Sequence, residues 1–138
     1  MTRTDPTVKE YHRPRVVLFC PLGHELAGRD QVGFAELVGQ AVIVVQSALS
    51  ARLVADVVAG LAVRPATSSA EDVDIALRMV AEGVGVAPLH RDVAVLADER
   101  VVAVPLHPEL MVSVTLLRAA DRPRSAEADA LWTRLSER

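Results

Sequence analysis

One cysteine, Cys20, stands in 138 residues, so no internal disulfide framework holds this chain together, and a reducing compartment suits it. Aromatic residues are nearly as scarce. Tyr11, Phe19, Phe34 and Trp132 are too few and too scattered to stack the bases of a single-stranded nucleic acid. Positive charge is not in excess either. Fifteen basic residues against 18 acidic ones leave a formal net charge of -3, which argues against a strongly basic nucleic-acid binder. Only Lys9 among the basic residues is a lysine, a matter of composition that carries no function. No apolar run reaches the length of a membrane helix. The opening MTRTDPTVKEYHRPR is polar and carries Asp5 and Glu10, unlike a signal peptide. The expectation is a soluble cytoplasmic protein with no membrane partner.

What the chain does have is apolar material, 51% hydrophobic against 24% charged, too much for disorder. Its length predicts one domain with a real core. Residues 1–13 read as polar and irregular. Val16-Val17-Leu18-Phe19-Cys20 and Ala41-Val42-Ile43-Val44-Val45 are short, β-branched, uninterrupted runs, the pattern of strands buried on both faces. Between them lie a turn-rich loop and a short helix over residues 34–38. Leu53, Val54, Val57, Val58 and Leu61 then recur at helical spacing, followed by a strand over residues 63–67. Ser68 and Glu71 form an S-x-x-E capping box ahead of Val73, Ala76, Leu77, Val80 and Ala81, and Gly83 is a natural helix stop. Strands are expected over residues 84–89, 101–106 and 112–118, a brief helix or turn over 92–97, and a last helix capped by Ser125. This alternation predicts an α/β fold with a mostly parallel sheet covered by helices.

Few constellations carry chemistry. Cys20 and His24 are the one pair that suggests nucleophilic catalysis, against the plainer reading of a small buried hydrophobe and a loop histidine. His12, His24, His90 and His107 are spread singly, without metal-ligand spacing, so neither metal nor cofactor is expected. Gly83-Val84-Gly85 follows a helix and precedes a strand, the reverse of a phosphate-cradling order. Thr67-Ser68-Ser69 falls at an expected strand-to-helix junction, where hydroxyls and free N–H groups meet a positive helix end suited to a small anion. Gln46-Ser47-Ala48-Leu49-Ser50 makes a second such junction. The competing reading of each is plain helix capping.

The order of these segments resembles the LysR-type transcriptional regulators. Arg15-Val16-Val17-Leu18-Phe19, followed by Pro21-Leu22-Gly23-His24-Glu25-Leu26-Ala27, is similar to that family's strand and "HPLA" turn, with Glu25 where proline is usual. Phe34-Ala35-Glu36-Leu37-Val38-Gly39-Gln40-Ala41-Val42-Ile43 resembles its "DL-x-G" helix and strand. Leu77-Arg78-Met79-Val80-Ala81-Glu82-Gly83-Val84-Gly85-Val86-Ala87 is similar to its "VaaGxGva" segment, although Pro88 and His90 alter the ending. The resemblance covers about residues 14–136.

It implies the fold of type II periplasmic binding proteins, with effectors held between two lobes. Residues 1–20 would be an irregular start and first hinge strand, 21–104 effector-binding lobe II, and 105–138 the segment returning to lobe I. The family's helix-turn-helix and the first half of lobe I have no counterpart here. The implied ligand-binding residues are Ser47, Thr67, Ser68 and Ser69, with Arg15 as a hinge cation able to meet a carboxylate. The implied function is non-catalytic sensing of a small-molecule effector, such as an organic acid, by a homo-oligomer that touches DNA only through a helix-turn-helix. Two rival readings stand beside it: an interaction partner that pairs with a full-length regulator through exposed sheet edges or helices without sensing a ligand, and a thiol hydrolase built on Cys20.

Overall fold

A computed structural model of the chain describes residues 8–48, 51–61, 63, 65–112, 114–117 and 125–136. Its strands are β1 (Val8–His12), β2 (Val16–Pro21), β3 (Val32–Gly33), β4 (Ala41–Val45), β5 (Ala66–Ala70), β6 (Ala87–His90), β7 (Val101–His107) and β8 (Val114–Leu117). The helices are α1 (Ala51–Ala59), α2 (Val73–Ala81) and α3 (Ala126–Ser136), with 3-10 turns at Phe34–Gly39 and Arg91–Leu96. Where length predicted one domain, the chain forms two compact units, Arg15–Val112 and a smaller one made of Met1–Pro14 with Ser113–Arg138.

The smaller unit pairs β1 with β8 antiparallel, Val8 opposite Leu117. The segment expected to be irregular therefore contains a strand. Its preference for that state is hidden in a polar sequence because the partner lies about a hundred residues away. As expected, Ser125 caps α3, its Oγ accepting the Ala128 N–H at 3.0 Å.

In the larger unit the strand order is β3-β7-β2-β6. Val42 bridges Val86, just before β6, and this joins the parallel β4–β5 pair to the same sheet. Five strands run one way; β2 alone opposes its neighbours β6 and β7. The mostly parallel sheet is thus mixed, for a topological reason. The chain enters this unit at Arg15, at the edge where the other strands end, so its first strand has to run back against them.

The uninterrupted apolar runs do form the doubly buried strands. Val16, Leu18 and Cys20 of β2 pack with Val42, Val54 and Val58 on the α1 side. Val17 and Phe19 pack with Ile43, Val45, Ala76, Leu77 and Val80 on the α2 side. Gly83 ends α2 with φ +82°, a conformation that glycine adopts without a steric penalty.

One local expectation fails. The strand foreseen over residues 63–67 lies at Ala66–Ala70, so Thr67, Ser68 and Ser69 are strand residues and not helix caps. The cap of α2 is Asp72, whose Oδ1 accepts the Ile75 N–H at 2.9 Å. Pairing with β4 engages five residues along one side of the strand at once, which outweighs the local pull of a serine cap. Asp72→Ala should therefore cost about 1 kcal/mol in urea unfolding, and Ser68→Ala less than about 0.5 kcal/mol. The opposite ranking would restore Ser68 as the cap.

Candidate functional site

Five strands of the larger unit end on one edge of the sheet. The register places Val45 beside Ala70, and His90 beside Val16 at the start of β2. In open α/β sheets, ligands bind outside such carboxyl ends. Ser47 lies in the exposed turn after β4, and its Oγ donates to the Glu71 carbonyl at 2.8 Å, tying together the loops that follow β4 and β5. At the same edge Arg15 precedes β2. Its Nη1 is 3.3 Å from Glu109 Oε1, with both side chains about half exposed, a contact that water screens strongly. The Arg15 carbonyl accepts the Arg91 N–H at 2.8 Å, and the Val16 N–H donates to the Leu110 carbonyl at 2.7 Å. The segments by which the chain enters and leaves this unit are thereby stapled side by side, next to Arg15.

The three hydroxyl residues of β5 do not converge. Alternation puts Thr67 and Ser69 on the α1 side of the sheet with Val42 and Val44, and Ser68 on the α2 side with Ile43. Thr67 lines a shallow recess of about 230 Å³ with Val44, Ala55, Val58, Ala59 and Pro65, whose walls are mainly apolar. The expected anion site at the start of α2 is filled by the chain's own charge. Asp72 takes the capping position, with Glu71 and Asp74 beside it in sequence. The first turn of α1 carries no acid, which leaves the end near Ser47 the more favourable one for an anion. Leu49 and Ser50 of that junction lie outside the described residues.

Of the five residues singled out in the sequence, Ser47 and Arg15 share the strand-end edge, whereas Thr67, Ser68 and Ser69 sit within β5. Sequence reasoning missed Asp72, although aspartate caps as well as serine does. Glu109 falls between the strands expected over residues 101–106 and 112–118, where nothing in the sequence singles it out. Its role as the partner of Arg15 depends on a long-range pairing that no local signal announces.

The thiol–imidazole pair is not formed. Cys20 is fully buried, and burial pushes its thiol up to about 11. Its Sγ faces the Leu18 carbonyl at a long 4.0 Å, while His24 Nδ1 accepts the Leu26 N–H at 3.0 Å and so has no free lone pair at that nitrogen. Because the folded thiol titrates above the unfolded one, its contribution is complete below about pH 9 and is lost as pH rises through about 11. Relative to Cys20→Ala, the chain should lose on the order of 2–3 kcal/mol of stability across that window. Urea curves at pH 8 and 11.5 would show it; an unchanged difference between the two proteins would refute it. Among the described residues, no three of His, Cys, Asp and Glu are placed to share a metal ion. No helix among them is long and apolar enough to cross a membrane.

The family model described as the LysR substrate binding domain matches residues 7–138. Solved structures agree in fold. The regulatory domain of Synechocystis PCC6803 CcmR in complex with 2-PG superposes with a TM-score of 0.79 at 14% identity, over 99% of this chain and 69% of that one. A putative LysR family transcriptional regulator from Pseudomonas aeruginosa gives 0.75 at 20% identity, over 99% and 50%. The effector binding domain of BenM with its effector benzoate gives 0.68 at 14%, over 99% and 65%. The chain thus spans between half and about seven tenths of these structures. A search of the curated proteins found no match.

Proposed function

The chain belongs to the LysR substrate binding domain family, and from that membership we propose that it senses a small organic acid at the strand-end edge carrying Ser47 and Arg15. The family's fold is type II periplasmic-binding-protein-like, and the mixed sheet of the larger unit is of that kind. In this reading residues 21–104 are lobe II and 105–138 return to lobe I. The protein works in the cytoplasm as a homo-oligomer, and any contact with DNA belongs to a helix-turn-helix. The observation that carries the reading is that Ser47, after β4, and Arg15, before β2, both stand on the edge of the sheet where five strands end. Arg15 can exchange the Glu109 carboxylate for a ligand's, since the exposed ion pair holds it by less than about 1 kcal/mol.

Two features support sensing over catalysis. The Cys20 thiol is buried and protonated near neutral pH, and the Leu26 N–H occupies His24 Nδ1. BenM, a fold relative, is described with its effector benzoate, a carboxylate.

A thermal melt of the chain against small carboxylates, benzoate among them, tests the proposal. A ligand at ten times its dissociation constant adds about 1.4 kcal/mol and should raise the midpoint by a few degrees. Arg15→Ala should weaken the responding ligand roughly tenfold to a hundredfold, the usual worth of a charge-assisted hydrogen bond. A cooperative melt that no carboxylate moves, or a response that Arg15→Ala leaves intact, would overturn the assignment.

A further inference from the structure

The register of the sheet extends one step past its last paired residues. β2 and β6 run antiparallel with Val16 opposite His90, so the next pair outward is Arg15 opposite Arg91. The Arg91 N–H donates to the Arg15 carbonyl at 2.8 Å, so the two backbones are still joined at that point. On the other side of β6, Val42 bridges Val86 in parallel, and the same offset carried forward sets Ser47 roughly level with Arg91. Arg91 therefore stands between Arg15 and Ser47. With neighbouring strands about 4.8 Å apart, the outer two are separated by about 10 Å, and Arg91 fills the gap. Guanidinium, guanidinium and hydroxyl form a row across the ends of three adjacent strands.

Like charges on directly opposed residues repel. Glu109 answers Arg15 at 3.3 Å. Arg91 is exposed and forms no ion pair among the described residues, either with Glu109 or with Asp92, the next residue in the chain. The positive charge left over is local, in a chain whose formal net charge is -3. It lies at the carboxyl end of β6, the side of an open α/β sheet where ligands bind. Once Glu109 is displaced, two guanidiniums face outward there, each with a planar fork that fits a carboxylate at two points.

We infer that Arg91 is a second anchor for the effector and that the effector is a short dicarboxylate, one carboxylate on Arg15 and the other on Arg91, with Ser47 beside the second. The inference rests on the reading of this edge as the sensing site. A monocarboxylate only replaces Glu109 on Arg15 and leaves Arg91 unanswered. A dicarboxylate neutralises both guanidiniums and removes the repulsion between them.

Thermal melts of the full chain with malonate, succinate, glutarate and adipate, each against its own monomethyl ester, test this. Affinity is read from the concentration dependence of the midpoint. At least one diacid should bind about tenfold or more tighter than its ester, the usual worth of an added charge-assisted hydrogen bond. Without ligand, Arg91→Ala should melt as the parent does, because the side chain is exposed. With ligand, it should bind that diacid no better than the ester. Diacids that bind no tighter than their esters, or an advantage that survives in Arg91→Ala, overturn the inference while monocarboxylate sensing at Arg15 stands. If no carboxylate of either kind moves the melt, the sensing reading itself fails and the inference falls with it.

Discussion

Gly85→Ala should destabilise the chain by about 3 kcal/mol or more, a large share of what a domain of this size has. A Cβ at Gly85 would run into the backbone carbonyl of Ala41 at the start of β4. That carbonyl accepts the Val86 N–H at 2.9 Å, and the Ile43 N–H donates to the Val86 carbonyl at 2.8 Å. These two bonds accompany the bridge that joins the β4–β5 pair to β6, so the added methyl forces apart the seam it must fit into. Since the obstacle is backbone on both sides, no rotamer change relieves it. Gly83→Ala makes the contrast. Nothing lies near its Cβ, and the cost there is only the strain of φ +82°, about 1 kcal/mol. Urea unfolding of both variants checks the ranking, and a Gly85→Ala protein within about 1 kcal/mol of the parent would show that the seam yields.

Phe19→Ala should cost about 4 kcal/mol. Phe19 is 1% exposed and sits on β2 with Val17, Ile43, Val45, Leu77, Val80 and Leu89 around it. Because β2 is laced to β6 on one side and β7 on the other, the backbone cannot settle into the space left by the ring, and most of the cavity stays open. Val95→Ala, on a side chain that is 88% exposed, should change stability by less than about 0.5 kcal/mol. Both residues count equally as hydrophobic in the composition, and only the packing separates them. Thermal or urea midpoints for the pair would decide it, and a small loss for Phe19→Ala would mean that the α2 layer collapses onto the sheet.

Elements whose cause is local were legible in the sequence. The apolar runs of β2 and β4, the 3.6-residue stripes of α1 and α2, the Gly83 stop and the Ser125 cap all depend on residues within a few positions of one another. The ordered motifs from Arg15 to Ala87 likewise point to the family that the match over residues 7–138 establishes. The two junction loops illustrate the limit. Ser47 was read as one of several hydroxyls, and only the parallel pairing of β4 with β5 brings its Oγ to Glu71. Ser68 offered an equally good cap on paper, but the same pairing draws it into a strand and leaves the cap to Asp72.

The sequence by itself determined the class of element at most positions and the family, because periodicity, capping and motif order are short-range properties written in neighbouring residues. The tertiary structure alone decided the reversed direction of β2, the partnership of Arg15 with Glu109, the burial that silences Cys20 and the strand state of Ser68. Each of those follows from which distant segments meet, a choice made by the free energy of the whole packed sheet and not by any one stretch of it.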